Sequence, residues 1–169
     1  MIHANNFDGA PTVARFLNMP YLRIHTPAEL LGERAVEAKV AEVMAEKENP
    51  TVQDLMDRIL TIREFKEAPE GQKPAIWVGS PESYSGKVLV EFSGGLSAEL
   101  DEVKAYIDAG IGTFVCMHME GDIVKALQED NRCNVIVTGH MASDSVGMNR
   151  IMDAWEKHGI KTTRIGGLV

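Results

Sequence analysis

A chain of 169 residues is the size of one domain and can bury about two-thirds of its unfolded surface. Its net charge of −8 argues against nucleic acid and anionic membrane as partners, and no apolar stretch is long enough to cross a bilayer. Cys116 and Cys133 match neither a zinc ribbon nor a redox C-x-x-C and read as small core residues; with no signal-peptide shape at Met1–Asn6, the cytoplasm is the expected compartment. In chain order, Val13, Phe16 and Leu17 predict a short helix from about Pro11 to Leu17, stopped by Asn18-Met19-Pro20. Tyr21 to Ile24 reads as the first strand. From Pro27 to Lys47, the stripe Leu30, Leu31, Val36, Val40, Val43 and Met44 predicts a long amphipathic helix, its first turns weakened by Gly32. Thr51-Val52-Gln53-Asp54 has the spacing of a capping box, and Leu55, Met56, Ile59, Leu60 and Ile62 follow as a core face.

Lys66 to Pro74 reads as a surface loop. Ala75 to Val78 and Lys87 to Phe92 read as an antiparallel hairpin around the turn-rich stretch Gly79 to Gly86. Ser93-Gly94-Gly95 is a tight turn needing positive φ rather than a phosphate cradle, because no G-x-G-x-x-G and no Walker-type lysine accompanies it. Ser97 then caps a helix running to Ala109. A strand from Ile111 to Met117, a helix from Ile123 to Glu129 and a strand from Val135 to Val137 follow. The last helix starts at Ser143 or Ser145 and turns Ile151, Met152 and Trp155 inward. His158 complements its C-terminal dipole or makes a cap contact, and Lys161 to Ile165 closes as a strand. The expectation is a single α/β domain over 1–169, a mixed β-sheet flanked by helices.

The chemistry is concentrated in one repeated phrase. Three apolar runs end in a histidine with an acid four residues on: His25 with Glu29, His118 with Asp122, and His140 with Asp144. Ligands of α/β sheets bind at the carboxyl ends of strands, and imidazoles with carboxylates there are donors for zinc, iron or manganese. Each pair also has a purely local explanation. Thr26-Pro27-Ala28-Glu29 has the composition of a capping box, Asp122 and Asp144 suit helix N-termini, and Glu120 reads as an exposed loop carboxylate before it reads as a ligand or base.

The segments F-V-C-M-H-M-E and N-V-I-V-T-G-H-M-A-S-D-S, with a helix and a short strand after them, resemble the NIF-three-like family. Its members are also labelled dinuclear metal-binding or GTP cyclohydrolase I type 2-like proteins. Upstream, R-I-H-T-P-A-E is similar to the family's His-x-Pro-x-Asp segment, so the resemblance covers most of the chain. It implies His140 and Asp144 as metal ligands and Glu29 as a carboxylate that bridges two ions. His25 and His118 match positions facing the same cavity, as ligands, as groups backing the ligands or as the general acid/base. Two departures stand out. The family's adjacent histidine pair has no counterpart here, and Asp144 and Glu29 exchange the usual acid at each position. Either the chain is a truncated or naturally short form, or its site holds one ion well and a second poorly.

The resemblance implies one or two divalent ions (Zn, Fe or Mn) and a homo-oligomer. Such ions polarise a carbonyl or phosphoryl oxygen and lower the pKa of water, and a neutral strand-end histidine then moves the proton. The favoured expectation is a metal-dependent, hydrolase-like protein acting through a di-metal site on a small, phosphorylated or nucleotide-like molecule. Nothing in these residues reads a purine, so the cyclohydrolase label carries little weight. The alternatives are a non-catalytic metal-binding or regulatory module and a plain α/β ligand-binding domain.

Overall fold

The structure is a computed structural model describing residues 4–92 and 99–165, with side chains from residue 9 onwards. The described elements are, in order, α1 (Ala4–Phe16), α2 (His25–Glu46), α3 (Val52–Ile59), α4 (Arg63–Glu67), β1 (Ala75–Val78), β2 (Lys87–Glu91), α5 (Leu100–Asp108), β3 (Ile111–Cys116), α6 (Gly121–Asp130), β4 (Asn134–Val137) and α7 (His140–Lys157). The expected Ser93-Gly94-Gly95 turn and Ser97 cap lie outside the described residues. None of the described helices is long and apolar enough to cross a membrane.

The strands form one mixed sheet in the order β1-β4-β3-β2, an α/β architecture as expected. β3 runs parallel to both β2 and β4, while β1 is antiparallel to β4. The hairpin reading is therefore wrong: β1 and β2 are neighbours in sequence but lie at opposite edges, with β4 and β3 between them. β3 and β4 are the central strands, and their side chains alternate between two cores as the pleat requires. Val115 and Ile136 point to a core shared with α2, α3, α4 and α7, where Val36, Leu55, Ile59, Phe65 and Val146 are buried. Phe114, Val135 and Val137 point to the opposite core, closed by Val103 and Ile107 of α5 and Leu127 of α6. Burial on both faces explains why β4 reads N-V-I-V without polar alternation.

The expected capping box opens α3. Thr51 Oγ1 accepts from the Asp54 amide at 3.3 Å, and Asp54 Oδ2 accepts from the Thr51 amide at 2.9 Å. Other expectations are corrected. The first helix is longer than Pro11–Leu17, and Val13, Phe16 and Leu17 are exposed. Tyr21–Ile24 is not a strand; it is an irregular, mostly exposed lead into α2. Lys161–Ile165 is not a strand either, because Arg164 ties it to α7. Its Nη1 bonds Glu156 at 2.8 Å, its Nη2 bonds Asp153 at 2.5 Å, and its Nε donates to Asn149 Oδ1 at 3.2 Å. A short helix, α4, starts just before the expected Lys66–Pro74 loop.

The buried stripe of α2 is Ala28, Gly32, Ala35, Val36, Val40 and Val43, whereas Leu30 and Met44 of the expected stripe are exposed. Small residues face α7 because the two backbones nearly touch. A Cβ on Gly147 would lie 1.8 Å from the Ala28 carbonyl oxygen, and one on Gly32 would lie 2.9 Å from that of Ser143. Gly32, which weakens a helix on propensity alone, here permits the contact. Gly147→Ala is expected to force α2 and α7 apart and lower stability by about 1–3 kcal/mol. Thr51→Ala, which removes only a cap, should cost about 1 kcal/mol. Chemical denaturation checks both, and a Gly147→Ala variant as stable as the parent would contradict the close packing.

Candidate metal centre

α2 and α7 each begin with a histidine and carry an acid one turn later, so His25 with Glu29 and His140 with Asp144 are neighbours on one helix face. Both expected local explanations fail. The residue before α2 is Ile24, with no side-chain cap, so Thr26 forms no capping box and Glu29 is not drawn back to it. α7 opens at His140 rather than at Ser143 or Ser145, because Gly139 turns the chain with φ of 84° and its carbonyl already accepts the Ser143 amide at 3.0 Å. A side chain at Gly139 would be strained by that φ.

The end of β4 is fastened to the end of β3. The Thr138 amide and hydroxyl both donate to the Cys116 carbonyl (2.8 and 3.1 Å), and the Gly139 amide donates to that of Met117 (3.1 Å). The next residues of the two runs are His118 and His140, and their rings stack with centroids 5.2 Å apart. His140 also stacks with His25, with centroids 6.1 Å apart and planes 19° apart.

One donor atom each from His25, Glu29, His140 and Asp144 lies within 4.8 Å of every other; this is the one such group among the described residues. His25 Nε2 is 3.6 Å from Glu29 Oε1 and 3.5 Å from Asp144 Oδ2, and His140 Nε2 is 3.4 Å from that same Oδ2. These separations are long for direct hydrogen bonds. They are close to the edge of about 3.3 Å of a tetrahedron whose ligands stand about 2.0–2.1 Å from a central ion. Asp144 Oδ1 is shut from solvent and has no hydrogen-bond partner, a costly state for a carboxylate unless a cation lies nearby. The donor set is hard-to-borderline, two imidazoles and two carboxylates, so it could hold a metal ion of the zinc, iron or manganese class.

Compared with solved structures, the chain superposes on a NIF3 superfamily protein from Sphaerobacter thermophilus with a TM-score of 0.85 and 34% identity, over 98% of this chain. The chain belongs to the NIF3-like family. It spans 60% of the length of that Sphaerobacter chain. A Bacillus cereus protein related to NIF3 aligns over 66% of this chain and 27% of its own, with a TM-score of 0.46 and 13% identity. A Staphylococcus aureus hypothetical protein aligns over 67% of this chain and 30% of its own, at 0.45 and 13%. Neither the family models nor the curated proteins compared with the chain give a match.

In this NIF3-like chain the third histidine–acid pair does not assemble as the other two do. His118 reaches the site by stacking on His140 and stays outside the four-donor group, while Asp122 is exposed and its Oδ1 accepts the Ile123 amide at 2.9 Å in the first turn of α6. Glu120, likewise outside the group, is exposed just before α6. His158 lies exposed at the end of α7, as expected. Sequence reasoning missed the residues that hold the site in place, Gly32, Gly147 and Thr138. The only signal for them was two glycines inside helical patterns. Gly139→Ala is expected to displace His140 from His118 and reduce metal retention at least tenfold with little loss of helical content. Equilibrium dialysis against zinc, read beside circular dichroism, checks this; parental zinc retention would contradict the role given to the turn.

Proposed function

We propose that the chain binds one divalent ion through His25, Glu29, His140 and Asp144 and acts as a metal-dependent, hydrolase-like protein on a small molecule presented beside His118. The single observation carrying this reading is Asp144: one carboxylate oxygen buried without a partner, the other shared between the imidazoles of two helices. When bound, such an ion supplies Lewis-acid polarisation of a carbonyl or phosphoryl oxygen. The negative charge of the chain is no obstacle to a phosphorylated or nucleotide-like substrate, since a cation reverses the local sign. His118 stands against the ligand His140 without belonging to the four donors, and is the group assigned to move a proton at its ring nitrogen. His25 contributes as a ligand on this reading, not as the base. A second ion would need donors beyond this set, so the stoichiometry proposed is one per chain.

A second reading has a specific observation in its favour. Four protein donors fill a tetrahedral shell, the arrangement of structural zinc sites, whereas catalytic sites keep a position open. A closed site would staple α2 to α7, and the chain would then be a non-catalytic metal-binding module, its natural setting a homo-oligomer. A five- or six-coordinate ion such as manganese or iron leaves room for substrate and favours the enzyme.

His140→Ala is expected to lose bound metal by elemental analysis, at least tenfold, while the protein stays soluble and folded; unchanged stoichiometry would sink the site assignment. A hydrolysis screen over nucleotides and phosphoesters, with and without manganese or zinc, separates the two readings. On the hydrolase reading His118→Ala keeps its metal and loses turnover about 100-fold or more. Bound metal with no turnover of any substrate leaves the staple.

A further inference from the structure

A cavity of about 170 Å³ opens beside His118, between β2, β3, α5 and the start of α6. Its size is close to that of a cavity of about 150 Å³ that admits benzene, so it has room for one six-membered ring. Its walls are apolar: Leu89 from β2, Phe114 from β3, Ile123 from α6, and Tyr106 from α5, which meets Phe114 edge to face at 6.5 Å and is partly exposed. The charge around it has one sign. Glu91, Glu102 and Glu120 line it, and no lysine or arginine is among the described residues that do. The thiol of Cys116 in the wall is pushed up to about 12 by burial and, secondarily, by Glu91, so it adds no anion and no nucleophile.

We propose that this cavity is a specificity pocket that seats a single ring bearing a positive charge or amino groups, and that it rejects anionic rings. The proposal rests on the hydrolase-like reading only in taking that ring as part of the substrate. Apolar walls bury the ring faces, and the aromatic pair offers its π-electrons to a cation. The exposed carboxylate of Glu102 rewards N–H donors, and the acids together repel a carboxylate or phosphate. His118 joins pocket and metal centre, since it lines the one and stacks on a histidine of the other.

The test titrates the full chain with benzamidine and with benzoate, rings of one size and opposite charge, by calorimetry. Metal content is measured in parallel. The expected result is benzamidine bound at least tenfold more tightly than benzoate. Glu102→Lys, an exposed change, should weaken benzamidine at least tenfold, and Leu89→Trp should block it by filling the cavity. Benzoate binding as tightly as benzamidine, no binding of either ring, or benzamidine binding indifferent to Glu102→Lys would each overturn the proposal. Because Glu102→Lys leaves the core untouched, the outcome does not hang on whether Leu89→Trp folds. Ring binding without metal would sink the hydrolase reading and spare the pocket; metal without ring binding would do the reverse.

Discussion

The close contact of α2 with α7 is the constraint on which the site depends. Two helices that meet at Gly147 against the Ala28 carbonyl and Gly32 against Ser143 cannot slide or separate without a gap opening along Ala28, Ala35 and Val36. Their first turns are therefore side by side, and four side chains one turn apart on two helices become a single cluster. The register of β3 against β4 adds the fifth group. Thr138 and Gly139 bond to the carbonyls of Cys116 and Met117, which brings His118 onto His140. Two independent pieces of backbone geometry thus converge on His140.

The grouping of the candidate ligands was more legible in the sequence than the architecture that presents them. The i, i+4 spacing of His25 with Glu29 and His140 with Asp144 picks out the four side chains that come together, because that spacing is a helical neighbour relation whichever element precedes it. The expected presentation, three strand ends, is correct for His118 and half correct for His140. It fails for His25, where Tyr-Leu-Arg-Ile has the composition of a strand but no described strand to pair with. Composition reports what a segment prefers; the partner that makes a strand is elsewhere in the chain.

The hairpin error has the same origin. β1 and β2 are consecutive, turn-linked and rich in strand formers, and the pairing rule for neighbours applies to them on local grounds. The parallel β3 and β4 bury both faces and take the centre of the sheet, leaving the edges to the two earlier strands. Likewise, an apolar stripe drawn through the largest residues of α2 misses the buried face, because closeness to α7 selects small side chains there. Nothing in the residues alone marks Glu91, Glu102 and Tyr106 as lining one cavity, since they come from different elements.

The most direct measurement is X-ray absorption at the metal edge of the zinc-loaded chain. The expected shell is two imidazole nitrogens and two oxygens at about 2.0–2.1 Å. A shell of water alone, or one containing sulfur at about 2.3 Å from a cysteine, would contradict the convergence of α2 and α7 on a single ion.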